Sequence, residues 1–237
     1  MKLLPLGVGD AFTERHYTFC LAVEHEGEWI LVDCPHPIRR ILRDGGGPPA
    51  ERISAVLLTH LHADHASGLE GLAYFLHFAA GRKLVLHAHP DVSARLWDGH
   101  LAAGMECILP AVGAKHEART LADWVDLRPL PARVGPFEVE CRRTIHHLPT
   151  TALRISAGGK SIGISADTAF DESLIAWLAE ADLVVHETNH GVHTPYEKLA
   201  SLPSALRAKM RLVHYPDSFD VERSEIECLR QGVAVEP

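Results

Sequence analysis

The stretch T-H-L-H-A-D-H-A-S-G, residues 59–68, places three histidines and an aspartate within six positions. Histidine is a weak helix former, and polar side chains gain nothing from burial in an apolar core. A run of this composition is either a solvated loop or one half of a metal site. Its flanks say where it lies. Ile53–Leu58 (I-S-A-V-L-L) is a short, continuous apolar run, as expected of a strand buried on both faces. Residues 67–80 carry Leu69, Leu72, Ala73 and Leu76 at helical spacing. The histidine run is therefore expected on a loop between the carboxyl end of a buried strand and a helix, where α/β proteins build sites.

The same pattern recurs along the chain. Residues 2–8 read as an edge strand, and two short β runs meet at Glu26-Gly27, a hairpin signal. Residues 36–44 read as a helix that stops at G-G-G-P-P. K-L-V-L-H-A-H-P is a strand ending at His89-Pro90. Residues 137–145 alternate like a half-exposed strand and end at His146-His147. Residues 152–156 and 161–165 form a hairpin across Gly158-Gly159, the second strand ending at Asp167. Residues 183–185 lead into His186-Glu187, and M-R-L-V leads into His214. Thr194-Pro195-Tyr196-Glu197 reads as a helix start with Thr194 as N-cap. Residues 96–130 are the least legible, mixed helix and loop, and are expected to wall the pocket. There is no repeat at solenoid spacing and no low-complexity linker, so residues 1–237 are expected to form a single domain.

Five strands thus end in a metal-competent residue: His60 with its neighbours, His89, His146 or His147, Asp167 and His214. Scattered surface histidines would not select strand ends, although the chain has 17 of them. Imidazole and carboxylate together suit zinc, manganese or iron(II). His60 and His62 can face one metal while Asp64 and His65 turn to a second. Two divalent metal ions sharing a bridging hydroxide would provide a nucleophile at neutral pH and a Lewis acid.

Composition bounds the partners. Hydrophobic residues make up 46% and charged residues 23%, ordinary for a soluble chain with a sizeable core. A net charge of −8 disfavours structured nucleic acid and favours a small-molecule substrate. The five cysteines (Cys20, Cys34, Cys107, Cys141, Cys228) are scattered without a C-x-x-C pair, which speaks against a disulfide framework or zinc–thiolate site. The N-terminal apolar run is too short for a signal peptide, and no stretch is long enough to span a bilayer. No membrane association and a cytoplasmic location are expected, with a homodimer left open.

H-L-H-A-D-H-A-S-G resembles the H-x-H-x-D-H signature of the metallo-β-lactamase fold superfamily, and the order of the later strand-end residues fits it over nearly the whole chain. The resemblance implies an α/β fold, the four-layer αββα metallo-β-lactamase sandwich, with a dinuclear site at one edge of the sheets. It implies His60, His62 and His146 on one metal, Asp64, His65 and His214 on the other, and Asp167 bridging. Asp33, in L-V-D-C, resembles the aspartate that orients the signature loop, and equally suits a plain turn.

The H-x-x-P-x-x-x-x-R spacing from His146 to Arg154 is similar to a run in ribonuclease Z-like members and favours His146 over His147. The H-E-T run at His186–Thr188 and the His193-Thr194 pair resemble elements of that branch in which a Glu–His pair assists proton transfer to the leaving oxygen. The branch's G-Y is Ala152-Leu153 here, and no Gly/Lys-rich tRNA-gripping arm is visible. The function implied is a metal-dependent hydrolase, phosphodiesterase-like, acting on a small phosphodiester or cyclic nucleotide-type substrate through a metal-bridged hydroxide. Asp64, His193 and Glu187 are its catalytic candidates. The alternative is a lactone or thioester hydrolase of the same superfamily. His87 and His89 are expected to line the site, with a plain strand end the other reading of His89-Pro90; Tyr196 and Tyr215 are left open.

Overall fold

Two six-stranded sheets carry the fold in a computed structural model that describes residues 1–237. The first runs in the order β1-β2-β3-β4-β5-β8. Its strands are β1 (Lys2–Gly7), β2 (Cys20–His25), β3 (Glu28–Val32), β4 (Ile53–Leu58), β5 (Leu84–Ala88) and β8 (Val125–Pro129). The second runs β14-β13-β12-β11-β10-β9, with β9 (Ala132–Val134), β10 (Phe137–Arg143), β11 (Thr151–Ala157), β12 (Lys160–Ile164), β13 (Leu183–Glu187) and β14 (Met210–Val213). In chain order each sheet begins with antiparallel pairs and ends with parallel ones. A separate exposed hairpin joins β6 (Cys107–Ile108) to β7 (Glu117–Ala118).

Why β2 and β3 read as unbroken apolar runs is clear from their two faces. Successive side chains on a strand point to opposite sides. Leu21, Val23, Ile30 and Val32 enter the core shared with the second sheet, where they join Leu153, Ile155, Ile162 and Ile164. The alternate residues Cys20, Ala22 and Leu31 enter a second core beneath helices α1 (Ile38–Asp44) and α3 (Leu69–Ala80), filled by Ile41, Leu42, Leu72, Ala73 and Leu76. Across the molecule, the helix Glu172–Leu178 buries Leu174, Ile175 and Leu178 on the second sheet. The result is the four-layer αββα sandwich expected from the sequence.

The Glu26-Gly27 turn is confirmed, with φ of 52° and 82°, the left-handed pair that a two-residue hairpin requires. Two local readings are corrected. The signature run is not wholly a loop: Ala63–Ala66 forms a one-turn helix, α2, with His62 at its N-cap. Gly68 ends that turn against Pro35, whose carbonyl oxygen would lie 2.4 Å from any added Cβ, so no larger residue could close it. Thr194 is not an N-cap either. Pro195 takes that position, while the buried Thr194 hydroxyl donates to the Thr168 carbonyl at 3.0 Å. A bond across the molecule outcompetes a local one here. No helix is long and apolar enough to cross a membrane.

Candidate metal centre

The ends of β4, β10, β12 and β14 meet at one edge of the sandwich, and they bring seven donor side chains together. His60 Nε2 lies 3.0 Å from His62 Nδ1, which lies 3.1 Å from His146 Nε2. Asp167 Oδ2 stands 3.7 Å and 3.5 Å from the His60 and His146 nitrogens. A second set faces the other carboxylate oxygen. Asp167 Oδ1 is 3.3 Å from His65 Nε2 and 3.6 Å from His214 Nε2, and both nitrogens lie near Asp64 Oδ2, at 3.2 Å and 3.3 Å. His147, the rival of His146, lies at the exposed rim.

These spacings fit cations. Donors about 2.0–2.1 Å from a tetrahedral ion lie roughly 3.3–3.4 Å apart, and the observed separations of 3.0–3.7 Å bracket that value. His65 Nε2 and Asp167 Oδ1 are buried without a hydrogen-bond partner while facing one another. An orphaned pair of this kind is costly unless a further group satisfies it.

Outer hydrogen bonds fix how the donors face. His65 Nδ1–H donates to Asp33 Oδ2 at 2.7 Å, leaving Nε2 toward the site. Asp33 also accepts the Thr59 N–H at 2.8 Å and the Thr59 hydroxyl at 2.7 Å. With that hydroxyl's proton committed, Thr59 Oγ1 accepts from His60 Nδ1–H at 3.0 Å, and the His60 Nε2 lone pair faces inward. Asp33, Ala166 and His214 all carry left-handed backbones, with φ of 63°, 51° and 56°. Such conformations are uncommon outside glycine and gather at functional turns.

The two sets differ in charge. Burial pushes His60 and His62 below their ordinary values, and His146 down to about 4. In the other set burial acts in the same direction but is outweighed. Asp167, Asp33 and Asp64 lift His65 well above its usual range, and Asp167, Asp64 and Glu187 lift His214 to about 10. Burial disfavours the Asp64 and Asp167 carboxylates, yet the neighbouring His65 and His214 hold both below their ordinary values.

A cavity of about 300 Å³ opens from the donors to solvent. His193 and Asn189 line it, and Phe12 stands on its wall. His193 Nδ1–H donates to Glu187 Oε2 at 2.8 Å, and Glu187 is anchored in turn by the Thr168 N–H at 2.5 Å. Against the pull of burial, Glu187 and Asp167 raise the His193 pKa.

Other expectations are corrected. His89 caps the helix Pro90–Ser93 by accepting from the Asp91 N–H, and His87 is buried on β5; neither lines the cavity. The Tyr215 hydroxyl donates to the Leu229 carbonyl and Tyr196 accepts from the Glu225 N–H, both away from it. No residue of 96–130 lines the cavity. Phe12 and Asn189 are absent from the sequence reading. The only signal was an aromatic residue inside the polar run D-A-F-T-E-R.

Two sheets of this topology, with an H-x-H-x-D-H run at the end of β4 and donors drawn from both sheets, define a metal-dependent hydrolase of the metallo-β-lactamase fold. Solved structures of that fold superpose over the full chain. The metallo-β-lactamase fold protein YhfI from Bacillus subtilis gives a TM-score of 0.78 at 19% identity, covering 100% of this chain and 99% of its own. The short form of human tRNase Z gives 0.72 at 20% identity, with 100% and 99% covered.

Within that class, the chain belongs to the family described as anti-Pycsar protein Apyc1, which matches residues 1–233. Relatives bearing that name include one from Paenibacillus sp. (strain J14), 33% identical over 98% of this chain and 97% of the relative. Another, from Bacillus phage 010DV004, is 29% identical over 93% and 91%.

Proposed function

We propose that the protein hydrolyses the phosphodiester of a small cyclic nucleotide. The observation that carries this reading is the placement of a proton donor and two donor sets around one cavity. His193, held by Glu187, lines the same 300 Å³ space as the Asp167 carboxylate that both sets share. Family membership supports the substrate class.

His60, His62 and His146 would hold one divalent ion, Asp64, His65 and His214 a second, and Asp167 both. The donor chemistry admits zinc, manganese or iron(II). When bound, the ions would lower the pKa of water and neutralise charge on the phosphate oxygens.

The chain's own residues do the rest. Asp64 Oδ1 remains available to accept a hydrogen bond from the attacking water while Oδ2 faces His65 and His214. His193, its Nδ1–H committed to Glu187, presents Nε2–H to the departing alkoxide as general acid. The neighbouring carboxylates keep that proton on the ring to higher pH than in a free imidazole, so acid assistance is lost as pH rises through the elevated pKa. The cavity wall has no lysine or arginine, so recognition of phosphate would fall to the histidines and to the cations the donor sets would hold.

The test offers manganese- or zinc-loaded protein a panel of cyclic nucleotides and bis(p-nitrophenyl) phosphate, beside a lactone and a glutathione thioester. Turnover of the phosphodiesters, abolished by Asp64→Ala and reduced about 10²–10⁴-fold by His193→Ala, is the expected result. Preference for the lactone or thioester would move the protein to carboxyl-ester chemistry.

A further inference from the structure

We propose that the ring of Phe12 is the platform on which the substrate's base stacks; this rests on the cyclic-nucleotide reading above. Phe12 is 89% exposed, although it is one of the chain's largest apolar side chains. The ring belongs to neither hydrophobic core and pairs with no other aromatic ring, so folding gains almost nothing from it. An aromatic side chain left bare on the wall of a site cavity is a surface waiting for a ligand.

The loop that carries it is pinned rather than loose. Asp10, itself buried, accepts the Phe12 N–H at 3.0 Å through Oδ1 and the Asn189 side-chain N–H at 3.0 Å through Oδ2. Asn189 follows the strand that bears Glu187, so the loop is tied directly to the site. On its far side, Asp217 accepts from the Thr13 hydroxyl at 2.6 Å and the Glu14 N–H at 2.7 Å. The Gly9 N–H closes the loop onto the Tyr17 carbonyl at 3.0 Å. Gly9 also allows Thr13 to fold back over it, since an added Cβ would lie 2.5 Å from the threonine methyl. Five hydrogen bonds thus fix the loop beneath a ring that is 89% exposed, and this pre-organisation lowers the entropic cost of binding.

Geometry divides the cavity into two functions. The donor atoms at its floor take the phosphate. Phe12, on the wall of the same cavity and largely exposed, offers a π-face, and Asn189 is already committed to Asp10. Stacking tolerates any base because every base has such a face. The chain should therefore discriminate weakly between purine and pyrimidine cyclic nucleotides. A neighbouring groove of about 310 Å³, lined by Ile145, Ala169 and Val192 with His146 and His147, is the rival seat; three of its five walls are aliphatic, and of its two imidazoles His146 belongs to the donor set.

The test compares Phe12→Ala, Phe12→Leu and Phe12→Trp with the unsubstituted, metal-loaded enzyme. The substrates are 3′,5′-cyclic CMP, 3′,5′-cyclic AMP and a cyclic ribose phosphate lacking the base. Alanine and leucine are expected to raise KM on both nucleotides by about tenfold or more with little change in kcat, and tryptophan to restore it. The loss should be confined to substrates that carry a base. Three outcomes overturn the proposal: unchanged KM in Phe12→Leu, an equal rise on the base-free substrate, or the same signature from Val192→Ala instead. If the unsubstituted enzyme turns over no cyclic nucleotide, the underlying reading falls and takes the proposal with it; if it does and Phe12→Leu behaves alike, the stacking platform alone falls.

Discussion

Histidine protonation separates the two donor sets. His60, His62 and His146 are held neutral by burial and offer lone pairs at once, whereas His65 and His214 are held protonated by their carboxylates. A cation entering the second set competes with protons on its histidines, and one entering the first meets imidazoles that burial keeps neutral. Metal titration by calorimetry in buffers of different ionisation enthalpy should therefore resolve two events at pH 7, only the weaker releasing protons. Because the folded pKa of His214 is raised to about 10, affinity at the second set should climb with pH throughout the range below that value. Asp33 offers a second check at this scale. It orients His65 and Thr59 from a fully buried position, so Asp33→Asn is expected to weaken metal binding about 10–100-fold. The seven converging side chains were legible in sequence because each follows a strand end. His89 followed the same rule and was misread, since a histidine before a proline caps a helix equally well. Phe12 and Asn189 obey no periodicity, and only the folded loop shows what they face.

Elements with a complete local signature were legible; elements without one were not. Ile53–Leu58 and Met210–Val213 match their expected bounds because both are short, mostly apolar runs, interrupted only by Ser54 and Arg211, that lie between breaks. Before β8, residues 96–124 break into helical turns of four or five residues and two-residue strands, too short for any period to register. The helix Glu172–Leu178 shows what a local signal contributes. Asp171 caps it by accepting from the Ser173 and Leu174 N–H groups at 2.8 Å and 3.3 Å. Asp171→Ala should cost about 1 kcal/mol of stability, read by chemical denaturation. The Ser173 hydroxyl, which donates to the same carboxylate at 2.7 Å, and these N–H groups depress the Asp171 pKa, so the cap's contribution is present at neutral pH and disappears as pH falls through the lowered value. The difference between wild type and variant should narrow accordingly in acid.

At the scale of the molecule, the chain lays down one sheet and then the other. The strands of the first sheet end at Pro129, and those of the second begin at Ala132. His60, His62, Asp64 and His65 belong to the first half, and His146, Asp167 and His214 to the second. Both donor sets therefore draw from both halves, which also share the larger apolar core. The C-terminal tail crosses back to the first strand, where Val235 and Leu3 exchange backbone hydrogen bonds at 2.8 Å and 2.9 Å. This arrangement makes the centre a clasp, and a clasp can be opened. Two polypeptides, 1–130 and 131–237, produced together should reassemble into an active pair, with either alone inert. Chelation should weaken their association, measured by analytical ultracentrifugation, because each half lacks ligands that only the other supplies. The protein would then act as a metal-gated coincidence detector, reporting by turnover that its two pieces have met.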